Sequence, residues 1–161
     1  MWRTPDFVSY NSAEALSIPA VSRCIALVSG DAARLPVFMQ QQTGDAWEVV
    51  ENSHLGDLIN RSPNPEISGN EWRSQVFRDL LTYGNHLSLV VRNGAGQVEQ
   101  IQPQVFGTWS VNWKHDQRVL TYALAGLGTI APSDVLHIRL DGDQPFYLSL
   151  IHISEPTRRK H

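Results

Sequence analysis

Cysteine is almost missing from this 161-residue chain, where Cys24 stands alone. A single thiol excludes an internal disulfide and suits a reducing compartment. Long apolar runs are missing too. None approaches the roughly 20 residues of a membrane span, and the opening MWRTPDFVSYNS carries no apolar core of a secretory signal. Positive charge is scarce: 13 Lys and Arg stand against 16 Asp and Glu, a net charge of −3. An acidic chain is poorly suited to gripping phosphate by bulk electrostatics. The patterns GxGxxG, the P-loop, GxSxG and HExxH are all absent, as are internal repeats and low-complexity tracts. The remaining composition, 42% apolar and 18% charged, is that of a folded domain with its own core.

Periodicity supplies the elements. A helix is expected from about Asn11 or Ser17 to Arg34, because Asn11 with Glu14 and Ser17 with Pro19 are both start signals and Pro36 is a stop. Val21, Ile25, Val28, Ala32 and Leu35 give it one apolar face, with Cys24 beside that face as a small buried hydrophobe. PVFMQQQ and WEVVE read as two strands around a turn at Thr43 to Ala46. Ser53 caps a short helix, HLGDLIN. In RSPNPEIS, Pro63 and Pro65 force extended backbone. Ser68 to Glu71 is a capping box opening a second long helix, NEWRSQVFRDLLTY, with Trp72, Val76, Leu80 and Tyr83 inward, joined by Phe77 and Leu81, and Gly84 past its end. NHLSLVVR alternates, with Leu87, Leu89 and Val91 on one side, and Asn93-Gly94 turns it into QVEQIQP. VFGTWSVNW, a turn at Lys114 to Gln117 and RVLTYAL form another hairpin, and DVLHIRL is a last strand. Two segregated amphipathic helices with short, largely antiparallel strands make an α+β fold.

The search for chemistry gives two weak clusters. His137, Asp141 and Asp143, in HIRLDGD, form the best metal-like group and would suit a metal-dependent hydrolase, but a transition-metal site usually needs more His or Cys ligands. Trp109 and Trp113 share one face of a strand, as a base-stacking module would require; with no basic run beside them, core packing is the better account. His54, His86 and His115 lie near element ends without patterned partners. Glu71 already caps a helix. No catalytic, cofactor-binding or metal-binding residue is assigned.

Several segments, in order, resemble the portal proteins of tailed bacteriophages. ALSIPAVSRCIALVSGDAARLPVFM (Ala15 to Met39) is similar to the family's first helix and its LP exit into a strand. HLGDLINRSPNPEISGNEWRSQVFRDLLTYGNHLSLVVRNGAGQVEQIQP (His54 to Pro103) is similar to the block with a short helix, a PNP loop, an aromatic-led helix and a GN step into a strand. PSDVLHIRLDGD (Pro132 to Asp143) is similar to a DVLHI-type strand. Two departures are His86, where the family usually has a small residue, and Ser62 before Pro63. The resemblance implies a structural, non-enzymatic virion protein without cofactors. It would be one subunit of a ring, commonly of twelve, at the capsid vertex through which DNA is packaged and ejected. Expected partners are other portal subunits, the capsid protein, the terminase and a head–tail adaptor, with DNA passing unread and no membrane. Synthesis is expected in the bacterial host cytoplasm. Residues 1–147 correspond to a partial wing-type domain, and the family's stem and clip have no counterpart in the chain.

LSLIHISEPTR, Leu148 to Arg158, resembles the translation of a transposon end and adapter used in tagmentation sequencing libraries. Residues 148–161 are therefore expected to be translated adapter rather than native sequence. Without them the chain has ten basic and fifteen acidic residues, a net charge of −5.

Overall fold

The computed structural model describes residues 12–114 and 119–140, and side chains within 13–112 and 121–140. Both helix-start signals near the N-terminus are used, so one expected helix is two. Helix α1 spans Ser12–Ser17, and α2 spans Pro19–Ala33. Ile18 between them is extended and Pro19 occupies the first turn of α2, where its missing N–H costs nothing. The ribbon β1 (Gln40–Thr43) and β2 (Ala46–Val49) follows, paired antiparallel around Gly44 at φ 66°. Helix α3 is His54–Asn60, capped by Ser53 Oγ accepting from the Gly56 N–H at 3.3 Å.

Helix α4, Gly69–Tyr83, has the expected capping box. Ser68 Oγ accepts from the Glu71 N–H at 3.2 Å, and the Glu71 carboxylate accepts from the Ser68 N–H at 2.8 Å. The Ser68 N–H and the Ser68 hydroxyl, both donating to the Glu71 carboxylate at 2.8 Å, hold that carboxyl below its ordinary range. Gly84 ends the helix at φ 70°, a left-handed position that favours glycine.

Six further strands and one turn follow: β3 (Asn85–Arg92), β4 (Val98–Pro103), β5 (Trp109–Lys114), β6 (Val119–Leu124), β7 (Gly128–Ile130), a 3₁₀ turn at Pro132–Asp134, and β8 (Val135–Arg139). They form two three-stranded sheets, ordered β4-β3-β8 and β5-β6-β7, and every pairing is antiparallel. The fold is thus α+β with antiparallel sheet, as the sequence implies. Not every pairing is local, however. β8 crosses back to lie beside β3, with Leu87 opposite His137.

β3 is covered on both faces. His86, Ser88 and Val90 share a side with Ile101 and Ile138. That side meets α4, where Trp72, Val76 and Leu80 are buried. Leu87 on the other side packs with Trp109, Tyr122 and Leu124 of the outer sheet. Each fully buried apolar side chain contributes about 1.5–3 kcal/mol, so these two clusters dominate the stability. The PNP loop closes the free edge of β4: the Ile101 N–H donates to the Pro63 carbonyl at 2.7 Å, and Asn64 Nδ2 donates to the Ile101 carbonyl at 3.0 Å.

The expected apolar face of α2 is only partly used. Val21 and Ile25 are half-buried, but Val28 and Leu35 are exposed, and so is Cys24. The fully covered residues are Ser29 and Ala33. Small side chains let α2 lie close against α4, and Cys24 falls roughly opposite Ala33 at about 100° per residue.

A polar junction locks the three main helices. Arg73 on α4 is buried, and its Nε donates to the Ala33 carbonyl at 2.8 Å, at the C-terminus of α2. Its Nη1 donates to the Ile59 carbonyl at 3.1 Å, at the C-terminus of α3. Asn70 Nδ2 donates to the same Ala33 carbonyl at 3.1 Å. Gly69 fits beneath because it has no side chain; a Cβ there would overlap the Asn60 carbonyl group. Gly69→Ala is expected to cost about 1–3 kcal/mol through this overpacking, read as a lowered urea midpoint at unchanged slope.

Candidate functional site

His137 was the centre of the metal-like cluster. In the structure both its ring nitrogens are engaged. Nδ1 lies 3.1 Å from the Tyr122 hydroxyl and Nε2 lies 3.1 Å from Asn85 Oδ1. Because an amide oxygen only accepts, Nε2 carries the proton and Nδ1 accepts from Tyr122. A metal would have to displace one of these bonds. Asp141, Asp143 and His115 lie outside the described residues, and no group of three metal-ligating side chains occurs among the described ones. Burial, then the charge of Arg139, then His86 lower the His137 pKa to about 4. Burial also raises the Tyr122 hydroxyl above its ordinary value.

Trp109 is buried and offers no open ring face. It meets Phe106 edge-on at 5.9 Å and His137 at 5.5 Å, and Phe106 in turn stacks on Tyr83 at 4.0 Å. This aromatic row seals the outer sheet onto the inner one. The Trp113 side chain lies outside the described residues.

His86 has partners that its sequence position did not announce. Its Nδ1 lies 2.7 Å from Asp79 Oδ2 on α4, and its Nε2 lies 2.8 Å from Ser88 Oγ. Trp72 Nε1 donates to the same Ser88 Oγ at 3.1 Å. A carboxylate only accepts, so in the neutral ring Nδ1 carries the proton and Nε2 takes the serine's hydroxyl hydrogen. The order Asp–His–Ser is that of a hydrolase triad. Its setting is the opposite of one. Ser88 is 0% and His86 1% exposed, beneath α4, and Ser88 Oγ is already committed to the Trp72 indole. A cleft of about 410 Å³ lies elsewhere, beside β4, with Asn64, Gln100, Gln102 and Gln104 in its wall and none of the three residues. The chain of hydrogen bonds satisfies polar groups that α4 and β3 bring into the core. A sequence signal existed only in hindsight: Asp79 and His86 are seven residues apart across the Gly84 cap.

The apolar surface is more unusual than the polar interior. On the ribbon, Phe38 is 65%, Trp47 64% and Val49 52% exposed. A second group, Val105 at 67% and Leu127 at 57%, lies where the β4–β5 loop meets the β6–β7 turn. Thr108 joins the two, donating its N–H to the Val105 carbonyl and accepting at its own carbonyl from the Ala125 N–H. Exposed aromatic and aliphatic groups of this size mark contact surfaces.

Two outcomes follow from the polar interior. A His137 that stays neutral when folded, but protonates near 6.5 when unfolded, stabilises fully above about pH 6.5. That contribution is lost as pH falls through about 4. Stability should therefore decline across this window more steeply in the wild type than in His137→Gln. The difference should stay below about 1.4 kcal/mol per pH unit, because a half-buried ring is partly screened. Urea midpoints measured from pH 7 to pH 4 check this. In the second outcome, Ser88 stays unlabelled by a fluorophosphonate probe in the folded protein. His86→Leu, which leaves the Asp79 carboxylate without its partner, lowers stability by about 2–4 kcal/mol.

Comparison with known proteins gives this fold a context. The family model described as "Phage portal protein" matches residues 19–156. The portal protein of Enterobacteria phage HK97 is 36% identical over 97 residues, covering 59% of this chain and 23% of that protein. Among solved structures, an HK97-family phage portal protein from Corynebacterium diphtheriae aligns with a TM-score of 0.57 at 21% identity, covering 79% of this chain and 39% of that one. A chain in the virion of a native gene transfer agent particle aligns with a TM-score of 0.64 at 17% identity, covering 94% and 40%. A third, in the neck of an empty particle of that kind computed with C6 symmetry, gives 0.63 at 18% identity, covering 94% and 41%. The chain thus spans about a quarter of the length of the curated relative and about two fifths of the solved ones. With a family match across most of its length and the same fold in the solved relatives, the chain belongs to the phage portal protein family.

Proposed function

We propose that this chain is wing-type portal sequence that serves as a structural part of the head–tail connector at the capsid vertex and catalyses no reaction. The family match over residues 19–156 carries the proposal. The buried Asp79–His86–Ser88 chain supports the non-enzymatic part, since its serine has no path to a substrate. The two exposed apolar groups support a role in contacts with other protein chains. On this reading the partners are further portal subunits in a ring, with the capsid protein, the terminase and a head–tail adaptor around it. DNA passes through the ring unread, and the net charge of −3 suits a surface that does not hold it. The protein is made in the host cytoplasm and resides in the virion.

Within the chain, residues 1–147 are proposed as the wing-type unit and residues 148–161 as translated adapter. The family match ends inside the second stretch, at residue 156. Both parts of the proposal meet in one measurement, tryptic mass spectrometry of density-purified particles from the source. Peptides from residues 1–139 should be present, and the peptide Leu140–Arg158 should be absent. Particles that lack the chain altogether would refute the portal role. Recovery of Leu140–Arg158 would refute the adapter reading and leave the portal role standing.

A further inference from the structure

We infer that Asn93–Gly94, at the tip of the β3–β4 hairpin, is a site of spontaneous deamidation, through which the folded chain gains a negative charge as it ages. The inference rests on the hairpin alone and goes beyond the portal reading, whose failure would leave it standing.

Gly94 is a glycine that the backbone does not require. Gly84 and Gly96 hold φ of 70° and 81°, left-handed positions that favour glycine. The φ of Gly94 lies outside that region, and a Cβ there would meet nothing within 4 Å. What the missing side chain does is leave the Gly94 nitrogen uncovered. Its N–H makes no hydrogen bond among the described residues, and Asn93, Gly94 and Ala95 are all exposed.

The Asn93 amide beside it is prepared for attack. Its Oδ1 accepts from the Ala95 N–H and the Gln97 N–H, both at 3.0 Å. Two donors on one carbonyl oxygen draw electron density from Cγ. They already point at the oxygen that turns anionic when Cγ becomes tetrahedral. The leaving nitrogen, Nδ2, has one long contact, 3.4 Å to Gln97 Oε1, at the surface. Arg92 adds a fixed cation, its Nη1 donating to the Gly96 carbonyl and its Nη2 to the Ser133 carbonyl, each at 3.1 Å. A cation at the turn lowers the cost of removing the Gly94 amide proton, and Asp134, 3.7 Å from Arg92 Nε, offsets part of that effect. The rotation that carries the nitrogen onto Cγ is confined to an exposed loop tip, where local opening costs little.

Other asparagines lack this combination. Asn64 precedes Pro65, which has no N–H. Asn85 is buried. The nitrogens after Asn60 and Asn70 are engaged, donating to the Asp57 carbonyl and to Ser68 Oγ.

The reaction balances with water as its only co-reactant. Solvent base takes the Gly94 amide proton, the nitrogen lone pair bonds to Asn93 Cγ, and the Cγ–Nδ2 bond breaks. Nδ2 takes up a proton and leaves as ammonia, which closes a succinimide ring. Water then opens the ring. Attack at Cγ gives aspartate on an unchanged main chain. Attack at the Asn93 main-chain carbonyl carbon gives isoaspartate, with a methylene inserted into the backbone. The aspartate product keeps both N–H donors and gains Arg92 as a counter-charge. The isoaspartate product lengthens the loop that the 2.9 Å bond from the Asn93 N–H to the Gln97 carbonyl closes.

The test incubates the folded full chain at about pH 9, digests it with trypsin at mildly acidic pH and reads the peptide Asn93–Lys114 by mass spectrometry. A gain of about 1 Da should accumulate at Asn93 at least about tenfold faster than at Asn112, an internal control in the same peptide. Gly94→Ala should slow the gain by about tenfold or more. Its melting temperature should equal or exceed the parent's, because alanine fits this φ and restricts only the unfolded chain. Equal rates at Asn93 and Asn112, a rate indifferent to Gly94→Ala, or reaction confined to the urea-unfolded chain would each overturn the inference.

Discussion

One guanidinium group fixes the helical half of this molecule. Arg73 enters the core from α4 and meets carbonyls rather than a carboxylate, those of Ala33 at the end of α2 and Ile59 at the end of α3. Helix C-termini carry unpaired carbonyls and partial negative charge, so a buried cation at two such ends is compensated without a formal anion. Asn60 adds to the junction, accepting from Arg73 at 3.3 Å and from the Val37 N–H at 3.1 Å while donating to the Val37 carbonyl at 2.8 Å. Through that pair the junction also sets the direction in which the chain leaves α2 for the ribbon. Removing Arg73 would take the Ile59 carbonyl's side-chain donor away and leave the Ala33 carbonyl to Asn70 alone.

The sheet half depends on β3. A strand covered on both faces must place its polar side chains with partners, and β3 does so on each side. His86 and Ser88 join Asp79 and Trp72 toward the helices, while Asn85 meets His137, which in turn meets Tyr122, toward the outer sheet. These two hydrogen-bonded groups look like chemistry when read as residue types. Burial makes them the means by which polar residues are tolerated in a core. For a protein whose proposed work is to be a rigid part of a larger assembly, a specifically paired interior and reactive-looking but inaccessible side chains are compatible.

Much of the local structure was legible. The Ser68 capping box, the Ser53 cap, the Gly84 stop and the Asn93 turn are short-range devices that read directly from neighbouring residues. Trp72, Val76 and Leu80 were legible as core because large apolar residues at helical spacing have few alternatives. The stripe on α2 misled for the same reason. Its large residues Val28 and Leu35 are exposed, while the contact with α4 runs through Ser29 and Ala33, whose virtue is small size. His86 was missed because its partners come from α4 and from its own strand's inner face, and no spacing in the sequence encodes that β3 is covered twice.

The sequence alone determined most of the element order, though not the break at Ile18 or strand β7, along with the main caps and turns, the antiparallel character and, by resemblance, the family. All of these depend on interactions within a few residues or on a pattern spread along the chain. Only the tertiary structure decided that β8 pairs with β3, that Arg73 gathers two helix ends, that His137 is engaged at both nitrogens and that Ser88 is sealed from solvent. Each of these joins residues far apart in sequence or depends on burial, and burial is a property of how layers stack rather than of any residue's neighbours.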